Sequence, residues 1–568
     1  MTILTEGPAY LGRGLLYRFL PGILILGQCL ASGASAQQSP DLSNIDRRIK
    51  EREQRLLPER GPALPELGTV AVPREAVTEF TLSGVVIEGA TALEPARFAP
   101  LYEEFLATTV GSEQVYEILQ RVTKLYRDEG YFLTRAVAPV QQVVAGVLRV
   151  RVIEGHIARF AVRGDTRQQD VLQGYAGPAL RERPARLDTV ERVLLLMNDV
   201  PGVAITPSLK PLNEDAGEYE LGVTVTYKPV DASAQIDNRG TPEVGRLQGF
   251  LTGAVNGLLG YGESFQANFV TTPNQPEELQ YGSLTATAPV GSAGTYVSAV
   301  GAYGAVDPGS SKRALDSDIR IAQFVGRAWH PLIRSRQQSL WISGTFDFRN
   351  FRETQFDDTV ISDRLRTLRA AATYGLTDRL DGESQIKLEV SHGLDILGAS
   401  DDDSAKLSRS DGKSDFTKAT GSVIRLQKLT ERIGVQLGIA GQWSADPLLS
   451  YEEFSLGGEQ FGRAYDYGEV SGEHGVAASG ELRYSGATPW QWLGEYQVYG
   501  FYDAGAVWND VPGGGNSRDS LTSAGGGVRL KVMDRMRATF EAGKPLTRNV
   551  ATTRDKDWRF FFSTAVKY

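Results

Sequence analysis

The C-terminal part of the chain places the strongest constraint on its fold. From about Val230 to Tyr568 the 568-residue sequence shows no helical period and alternates apolar with polar residues. Sixteen such segments can be counted, of which RLQGFLTGAVNG, SLWISGTFDFRNF and EYQVYGFYDAGAVW are among the clearest. A period of two residues predicts β-strands with one apolar face. Because soluble sandwiches alternate in the same way as membrane barrels, this pattern alone leaves the fold class open.

The connections between these segments differ in length according to their position. Those after odd-numbered strands are mostly long and polar, as in DPGSSKRALDSD, FRETQFDDTVISD and LGASDDDSAKLSRSDGKSD, whereas several after even-numbered strands are short, as in VGSAG, TERI and MDR. Bacterial outer-membrane barrels have short periplasmic turns and long outer loops, and soluble sandwiches have no reason to sort loops in this way. An alternating, aromatic last strand would close the barrel. The sequence therefore predicts an all-β transmembrane barrel of 16 antiparallel strands over residues 230–568.

Residues 1–36 have the pattern of a signal peptide. Two arginines precede the apolar stretch FLPGILILGQCLA, and Ala34-Ser35-Ala36 fits a small-residue cleavage site. The single cysteine, Cys29, lies inside this segment, but the glutamine before it does not suit a lipoprotein signal, so we favour cleavage after Ala36. The exported chain would then fold without disulfides, which suits a bacterial envelope protein.

The next residues, 37–58, are predicted to form a short helix. Ser39 fits the N-cap, Pro40 fits the first helical position and Pro58 ends the segment. The apolar stripe is too narrow for a strong core element, so we interpret this helix as a plugging or mobile segment. Residues 59–77 contain proline and glycine and are predicted to be a linker.

Two units of about 75 residues follow, each with the predicted order strand, helix, helix, strand, strand. In residues 78–155 these are TLSGVVIEG, EPARFAPLYEEFLATT, SEQVYEILQRVTKLYRDEG, FLTRAVAPVQ and GVLRVRVIEG, and residues 156–229 repeat the order. The repeat predicts two α/β modules. An exported chain can add to such a module as a further strand, so the second strand or second helix of each module, including YEILQRVTKLY and ERVLLLMND, is a candidate groove. Most of these apolar residues are expected to be core.

The connection 445–475 is far longer than the two to five residues that a hairpin needs. It contains the stretch FGRAYDYGEVSGEHG, in which Arg463 is the single arginine. Further on, Asp503 shares one face of a predicted strand with Phe501 and Gly505. A guanidinium inside a barrel is costly unless a carboxylate receives it, and an inward aspartate in a strand needs a partner. The alternative is a solvated Arg463 and an Asp503 that faces a watery lumen.

Three motifs, in the expected order, resemble those of the two-partner secretion transporters (TpsB), the haemolysin-activator and filamentous-haemagglutinin transporter family. IDNRG is similar to the family's D-N-x-G, at Asp237, Asn238 and Gly240. LGGEQFGRAYDYGEVSGEHG is similar to G-G-x-x-x-V-R-G-[FY] followed by S-G-[DE]-x-G, at Gly457, Gly458, Gly462, Arg463, Ala464 and Tyr465. FYDAGAVW is similar to the aromatic-x-D-x-G strand, at Phe501, Asp503 and Gly505.

The resemblance implies a fold and a function. The barrel would carry a secreted partner exoprotein across the outer membrane, and the two modules, which look like POTRA domains, would capture it in the periplasm. The long connection would be the sixth outer loop, folded into the lumen, with its arginine on the motif aspartate; here these are Arg463 and Asp503. The sequence departs from the pattern at Gly462, where the family has valine, and at Ala464, where it has glycine. If that glycine serves a positive φ, Ala464 is strained or the tip adopts another turn.

Other classes of function find less support. The formal net charge of -9 argues against nucleic acid as a partner. The four histidines are scattered and no nucleophile has an evident base, so we expect no metal, no cofactor and no catalysis. The expected partners are outer-membrane lipid and the exported protein. The main alternative is a barrel-assembly insertase of the same superfamily, which would have more periplasmic modules; a nutrient porin or adhesin needs none.

Overall fold

The computed structural model describes Arg48 and residues 78–490, 492–510, 516–533 and 535–568. The predicted signal peptide and linker lie outside these residues, and so does the predicted plugging helix apart from Arg48, which is helical. In the described part of the chain, no helix is both long enough and apolar enough to cross a membrane.

The first module is a small α/β unit. Its elements are β1 (Phe80–Thr81), β2 (Gly84–Glu88), β3 (Thr109–Val110), α1 (Ser112–Asp128), β4 (Arg135–Val137) and β5 (Val147–Ile153). β2 pairs in parallel with β5, and β4 pairs antiparallel with the other side of β5, while β1 and β3 form a separate pair. The apolar face of α1, from Val115 to Tyr126, packs on this sheet because its apolar residues recur at helical spacing.

The prediction of a helix at EPARFAPLYEEFLATT was wrong. This segment forms three single 3-10 turns at Pro95–Arg97, Ala99–Leu101 and Glu103–Phe105. Pro100 explains the difference, since a proline inside a helix removes one backbone donor and clashes with the preceding turn. Pro95 stands where it is tolerated, at the start of the first turn.

The second module has the order that the sequence predicts. It consists of β6 (His156–Gly164), α2 (Gln169–Arg181), α3 (Leu187–Asn198), β7 (Val203–Asn213) and β8 (Glu218–Tyr227). The strand order is β6-β8-β7, so β7 lies at one edge of the sheet. α3 is buried over most of its length, from Val190 to Met197, because ERVLLLMN is apolar on nearly every side.

The remaining strands close into an antiparallel barrel of sixteen, which confirms the predicted fold class. In chain order they are β9 (Val230–Asp237), β10 (Gln248–Asn256), β11 (Ser264–Thr271), β12 (Gln280–Val290), β13 (Thr295–Val306), β14 (Ser317–Arg334), β15 (Gln338–Gln355), β16 (Asp358–Thr377), β17 (Gly382–Gly393), β18 (Thr417–Lys428), β19 (Ile433–Ser444), β22 (His474–Ala487), β23 (Leu493–Asp510), β24 (Asn516–Val532), β25 (Met536–Pro545) and β26 (Arg559–Lys567). Between β19 and β22 a short hairpin is formed by β20 (Phe454–Leu456) and β21 (Val470–Gly472). The last strand pairs with β9, so the barrel has no free edge.

One predicted outer loop is instead a tight hairpin. FRETQFDDTVISD was expected to be a long connection, but β15 and β16 extend through it and meet at Phe356 and Asp357. Both turn residues have positive φ, 49° and 67°. A two-residue turn with both φ positive matches the twist of a hairpin, but it normally uses asparagine or glycine, so Phe-Asp gave no recognisable signal.

The second module lies against the end of the barrel that carries the short turns. The guanidinium of Arg334, at the end of β14, makes a bidentate ion pair with Asp199 at 2.6 and 2.8 Å. Arg192 of α3 donates to the carbonyl oxygen of Pro331 at 2.8 Å. Gln168 accepts a hydrogen bond from the backbone N–H of Gly262 at 2.8 Å. The other end of the barrel, with the long loops and the 356–357 turn, is therefore the outer end.

A test of the first module concerns Glu154. Its carboxylate accepts hydrogen bonds from the N–H groups of Thr91 and Ala92 and from the hydroxyl of Tyr126, at 2.7 to 2.8 Å. Burial opposes ionisation, yet these bonds lower the pKa of Glu154 below its usual value. The resulting stabilisation is present above the ordinary glutamate pKa and is lost as the pH falls through the folded-state pKa. We expect Glu154→Gln to melt the module earlier at neutral pH, with a difference that shrinks in acid.

The measurement is thermal unfolding of the full chain, followed by the helical circular-dichroism signal. Tryptophan fluorescence reports the barrel separately, because all seven tryptophans lie after residue 230. The control is Glu88→Gln, on the exposed end of β2. A Glu154→Gln variant whose deficit is equal at every pH would contradict this account.

Candidate functional site

The connection between β19 and β22, residues 445–473, folds into the barrel lumen and is called the lumen loop below. Its hairpin of β20 and β21 and the residues between them pack on the inner wall of the barrel. The shared apolar cluster contains Leu456, Phe461, Tyr465, Val470, Ala477, Val507, Leu521 and Val550. A loop that buries so much apolar surface is a structural element of the barrel interior.

Arg463 lies at the centre of this loop and is buried together with Asp503 of β23. Its Nη2 and Nε lie 2.9 and 3.1 Å from the two carboxylate oxygens of Asp503. The backbone N–H groups of Gly462 and Arg463 donate to Asp503 Oδ2 at 3.2 and 2.9 Å. A single carboxylate therefore receives the charge and also fixes the backbone direction of the loop tip.

A second carboxylate, on Glu481 of β22, was not predicted from the sequence. Its Oε2 pairs with Nη1 of Arg463. Arg483 and Arg529 also pair with Glu481, at 2.5 and 2.6 Å. The buried side chains of Arg463, Asp503 and Glu481 thus form one network with the half-buried Arg483 and Arg529, which offsets the desolvation of the buried charges.

Aromatic and small residues of β23 make space for this network. The ring of Phe501 lies 3.9 Å from the guanidinium carbon of Arg463, which is a cation–π contact. A Cβ at Gly505 would approach the side chain of Leu456 in β20 to 2.7 Å, so the hairpin needs glycine there. One face of β23 therefore contacts the lumen loop through Phe501, Asp503 and Gly505.

The tip of the loop differs from the family pattern without strain at Ala464. The positive φ falls on Gly462, at 92°, and not on Ala464. The methyl group of Ala464 is completely buried and lies 3.0 Å from the position that a Cβ on Gly543 would take. The strain that the sequence left open at Ala464 is therefore absent, because the residue that needs a positive φ at this turn is a glycine.

Three further loop residues support this turn. Gly457 and Gly458 have φ of 104° and 95°, and a Cβ on either would lie within 2.4 Å of neighbouring atoms. The hydroxyl of Tyr465 lies 3.2 Å from the carbonyl oxygens of both Thr522 and Arg548, between which it shares its proton, and it accepts the N–H of Arg548 at 3.3 Å. The two glycines therefore allow the chain to turn, and the tyrosine attaches it to the wall.

The IDNRG residues lie at the seam where the first and last strands meet. β9 and β26 share only five residue pairs. Asn238 extends this pairing, since its side chain donates to the carbonyl of Phe560 at 3.0 Å and accepts from the N–H of Phe562 at 2.8 Å. Gly240 cannot carry a side chain, because a Cβ would meet the carbonyl oxygen of Gly245 at 1.9 Å.

Asp237 connects the seam to the N-terminal segment. Its Oδ1 lies 2.7 Å from Nη2 of Arg48, whose guanidinium also lies over the rings of Phe250 and Tyr467 at 5.0 and 4.8 Å. The same oxygen accepts the backbone N–H of Arg239 at 3.1 Å. Arg48 is buried, so its charge depends on this carboxylate.

Arg239 was also missed, and it completes the connection to the lumen loop. It pairs with Glu541 of β25 and donates to the carbonyl oxygen of Arg463 at 3.1 Å. Asp503 and Glu541 occur in similar contexts, DAG and EAG, in which the glycine two residues after the acid faces the loop. That repeated signal could have identified Glu541, whereas SGELRYSG around Glu481 gave no comparable one.

The base of the lumen loop is held by a second buried ion-pair network. Glu452 pairs with Arg369 of β16 and Lys418 of β18, at 2.6 and 2.7 Å. Arg409, from the outer loop between β17 and β18, pairs with Glu453 and Glu473 at 2.9 Å each. Atoms of Glu473, His474 and Asp510 lie within 4.8 Å of one another. Because Glu473 is already engaged by Arg409, this group carries no argument for a metal.

This architecture defines a class of protein, an outer-membrane barrel with periplasmic α/β modules and a long loop held inside its lumen by ion pairs. The family profile described as haemolysin secretion/activation protein ShlB/FhaC/HecB matches residues 221–530, and the profile described as POTRA domain, ShlB-type, matches residues 80–155. The chain belongs to the ShlB/FhaC/HecB family of haemolysin secretion/activation proteins.

Similar proteins include the haem/hemopexin transporter protein HuxB of Haemophilus influenzae strain 86-028NP, 20% identical over 82% of this chain and 84% of that protein. The outer membrane transporter CdiB of Escherichia coli O6:K15:H31 strain 536 is 24% identical over 72% of this chain and 69% of that protein. Among solved structures, CdiB from Escherichia coli has a TM-score of 0.74 at 20% identity, covering 94% and 100% of the two chains. BamA from Haemophilus ducreyi lacking POTRA domains 1-3 has a TM-score of 0.51 at 13% identity, covering 86% and 100%. These structures are similar in fold.

The lumen site can be tested by removing one carboxylate. Breaking a buried ion pair costs about 3–5 kcal/mol, because the remaining charge is left without its partner. In Asp503→Ala we therefore expect the loop tip, which loses both its charge partner and two N–H acceptors, to exchange amide hydrogens at least about tenfold faster. The measurement is hydrogen exchange of peptides covering residues 457–467. Glu495→Ala, at the exposed periplasmic end of the same strand, is the control and should leave exchange unchanged. Unaltered protection in Asp503→Ala would contradict the anchoring role.

Proposed function

We propose that this chain is an outer-membrane transporter that moves a partner exoprotein from the periplasm to the cell surface by two-partner secretion. The lumen loop, held by Arg463 on Asp503 and Glu481, is the observation that carries the proposal. Family membership supports it, because the family is one of haemolysin secretion and activation proteins. The relatives HuxB and CdiB are named as transporters as well.

The geometry supports a gated passage in preference to an open pore. The lumen loop fills part of the interior and contacts strands around the wall, from Arg369 in β16 to Arg239 after β9. A polypeptide can cross only when these contacts rearrange. The periplasm contains no nucleotide to drive this step, so folding of the exported protein outside the cell would supply the direction of transport.

The periplasmic modules would recognise the exported protein, and the structure limits where a strand can be added. At the β7 edge, the N–H of Val203 is bonded to the carbonyl oxygen of Val200 at 3.0 Å and that of Ile205 to Asn198 at 3.3 Å. Pro207 and Pro211 follow on the same side of the strand and have no N–H. Few backbone N–H groups at this edge therefore remain available to pair with an added strand.

The free edge of β4, which is the second strand in the order predicted for the first module, is similarly occupied. The N–H of Ala136 in β4 donates to the hydroxyl of Thr123 on α1 at 3.0 Å. Arg135 pairs with Glu214 of the second module at 3.0 Å. The second-strand edges that the sequence indicated are thus partly closed in this conformation. β2, by contrast, pairs on one side only among the described residues, and Val86 on it is 45% exposed. The β2 edge is the binding edge that we propose.

The function is tested by secretion of a candidate partner, which is to be sought among the neighbouring genes as an exoprotein with an N-terminal secretion domain. We expect secretion to fall at least about tenfold in Arg463→Ala while the barrel still inserts, because the loop loses the charge that directs it. Partner in the medium is measured against heat-modifiable barrel in the outer membrane, with Glu495→Ala as control. Unchanged secretion, with a general loss of other outer-membrane barrels, would instead identify an insertase.

The binding edge is tested by site-specific photo-crosslinking in the full chain. A photoreactive residue at Val86 should crosslink to the partner's secretion domain, because a chain added to β2 passes directly beside it. The matched control is Leu209, the position on the β7 edge that lies between the two prolines. Crosslinks at Leu209 with none at Val86 would show that the second module, and not β2, receives the partner.

A further inference from the structure

Arginines lie on the outer surface of the barrel where three neighbouring strands rise above its apolar band. On β16, Asp363 and Arg369 face the interior, as the pairing of Arg369 with Glu452 of the lumen loop shows. The even-numbered residues therefore point outward. From the periplasmic end these are Leu376, Tyr374, Ala372, Ala370 and Leu368, followed by Arg366 and Arg364.

On the two preceding strands the outward side chains also change from apolar to polar, at the same height of the barrel. On β15, Asp347 and Arg349 face inward, so Phe346 and Phe348 point outward and are followed by Asn350 and Arg352. On β14 the outward Phe324, which is 50% exposed, is followed by Ala322 and Arg320. All of these arginines lie toward the 356–357 turn, at the barrel end opposite the second module.

The strand register makes this a continuous patch. Arg320 faces Arg352 directly across the β14–β15 ladder. Arg364 faces Asn350 and is the diagonal neighbour of Arg352 across the β15–β16 ladder. Side chains directly opposite each other have Cβ atoms about 5 Å apart, and diagonal ones about 7–8 Å. Like charges at these distances destabilise a sheet unless an anion lies between them.

The protein supplies little negative charge to this patch. Arg320 is paired with Asp318 of its own strand at 2.7 and 2.8 Å. Neither Arg352 nor Arg364, both exposed, has a side-chain hydrogen bond or ion pair with any residue in the described ranges. Arg366 lies beneath them, buried against the ring of Phe348 at 3.6 Å, and donates to Asn350 and to the carbonyl oxygens of Leu397 and Arg349. Its positive charge therefore adds to that of the two exposed arginines.

The level of the patch in the membrane indicates its ligand. An arginine facing lipid costs about 2–4 kcal/mol at the bilayer midplane but only about 0–1 kcal/mol near the interface. The patch lies directly above the outward Phe324, Phe348 and Leu368, and we place the boundary between acyl chains and headgroups at this change from apolar to charged residues. Guanidinium groups bind phosphate in bidentate geometry, so an anionic lipid headgroup provides the charge that the protein lacks.

We propose that Arg352 and Arg364, with Arg320 beside them and the buried charge of Arg366 beneath, form a binding site for the phosphate groups of lipid A, the phosphorylated glycolipid of the outer leaflet. The acyl chains of the same molecule cover the apolar surface below. The site holds the outer rim of β14–β16 at the headgroup level, next to the outer loop that supplies Leu397 and, through Arg409, contacts the lumen loop.

The test is native mass spectrometry of the full chain in mild detergent, titrated with lipid A that carries both phosphates. The double variant Arg352→Gln/Arg364→Gln should bind at least about tenfold more weakly, because it loses two charge-assisted contacts. The matched control is Arg327→Gln/Arg537→Gln, which removes two arginines from the lumen face of β14 and β25. If the double variant does not insert, as judged by heat modifiability, the single variant Arg352→Gln is used and should show an intermediate loss.

Two further titrations identify the source of the phosphate. Dephosphorylated lipid A should bind as weakly to the wild type as lipid A does to the double variant, and millimolar inorganic phosphate should not displace lipid A. Equal binding of the dephosphorylated lipid, complete displacement by free phosphate, or an equal loss in the lumen control would each overturn the proposal. A double variant that binds lipid A normally but fails to secrete the partner would overturn it as well, since the patch would then be a docking surface for the exported protein.

Discussion

The charge of one arginine determines how the interior of this barrel is organised. Arg463 is buried, so it requires the carboxylates of Asp503 and Glu481, and these must project inward from two neighbouring strands. Asp503 also accepts the N–H groups of Gly462 and Arg463, so the loop cannot turn at another residue without losing those bonds. The long connection is therefore a positioned element, and the small residues around it, such as Gly505, are consequences of that position.

Much of this arrangement could be predicted from the sequence, for identifiable reasons. The alternating pattern and the sorted loop lengths predicted sixteen strands, because a closed membrane barrel forces both features. The motif resemblance paired Arg463 with Asp503, and in the structure their side chains form an ion pair. Glu481 was not predicted, because a glutamate that pairs with the lumen loop has the same sequence pattern as one that faces water in the lumen. Glu541 was missed although its EAG context repeats the DAG of Asp503. The Phe356-Asp357 turn was missed because its conformation depends on strand pairing and not on the usual turn residues.

The tip of the lumen loop shows how a departure from a family pattern is accommodated. Ala464 stands where the family pattern has glycine, and the positive φ at the tip falls on Gly462. The added methyl group needs space, which Gly543 on β25 provides by having no side chain. Loop and wall are thus fitted to each other at Ala464 and Gly543. A larger residue at Gly543 would collide with the loop even though no charged contact changes.

A chain of polar contacts connects the N-terminal segment to the lumen loop. Arg48 pairs with Asp237, Asp237 accepts the N–H of Arg239, and Arg239 donates to the carbonyl of Arg463. All of these residues are buried. If Arg48 were removed, the Asp237 carboxylate would need another positive partner in the barrel wall, and Arg239 would be the first residue affected. Since Asn238 between Asp237 and Arg239 extends the short β9–β26 pairing, the contacts that hold Arg48 are continuous with the seam as well as with the loop. A change in the contacts of Arg48 therefore bears on the β9–β26 seam and on the tip of the lumen loop through the same residues.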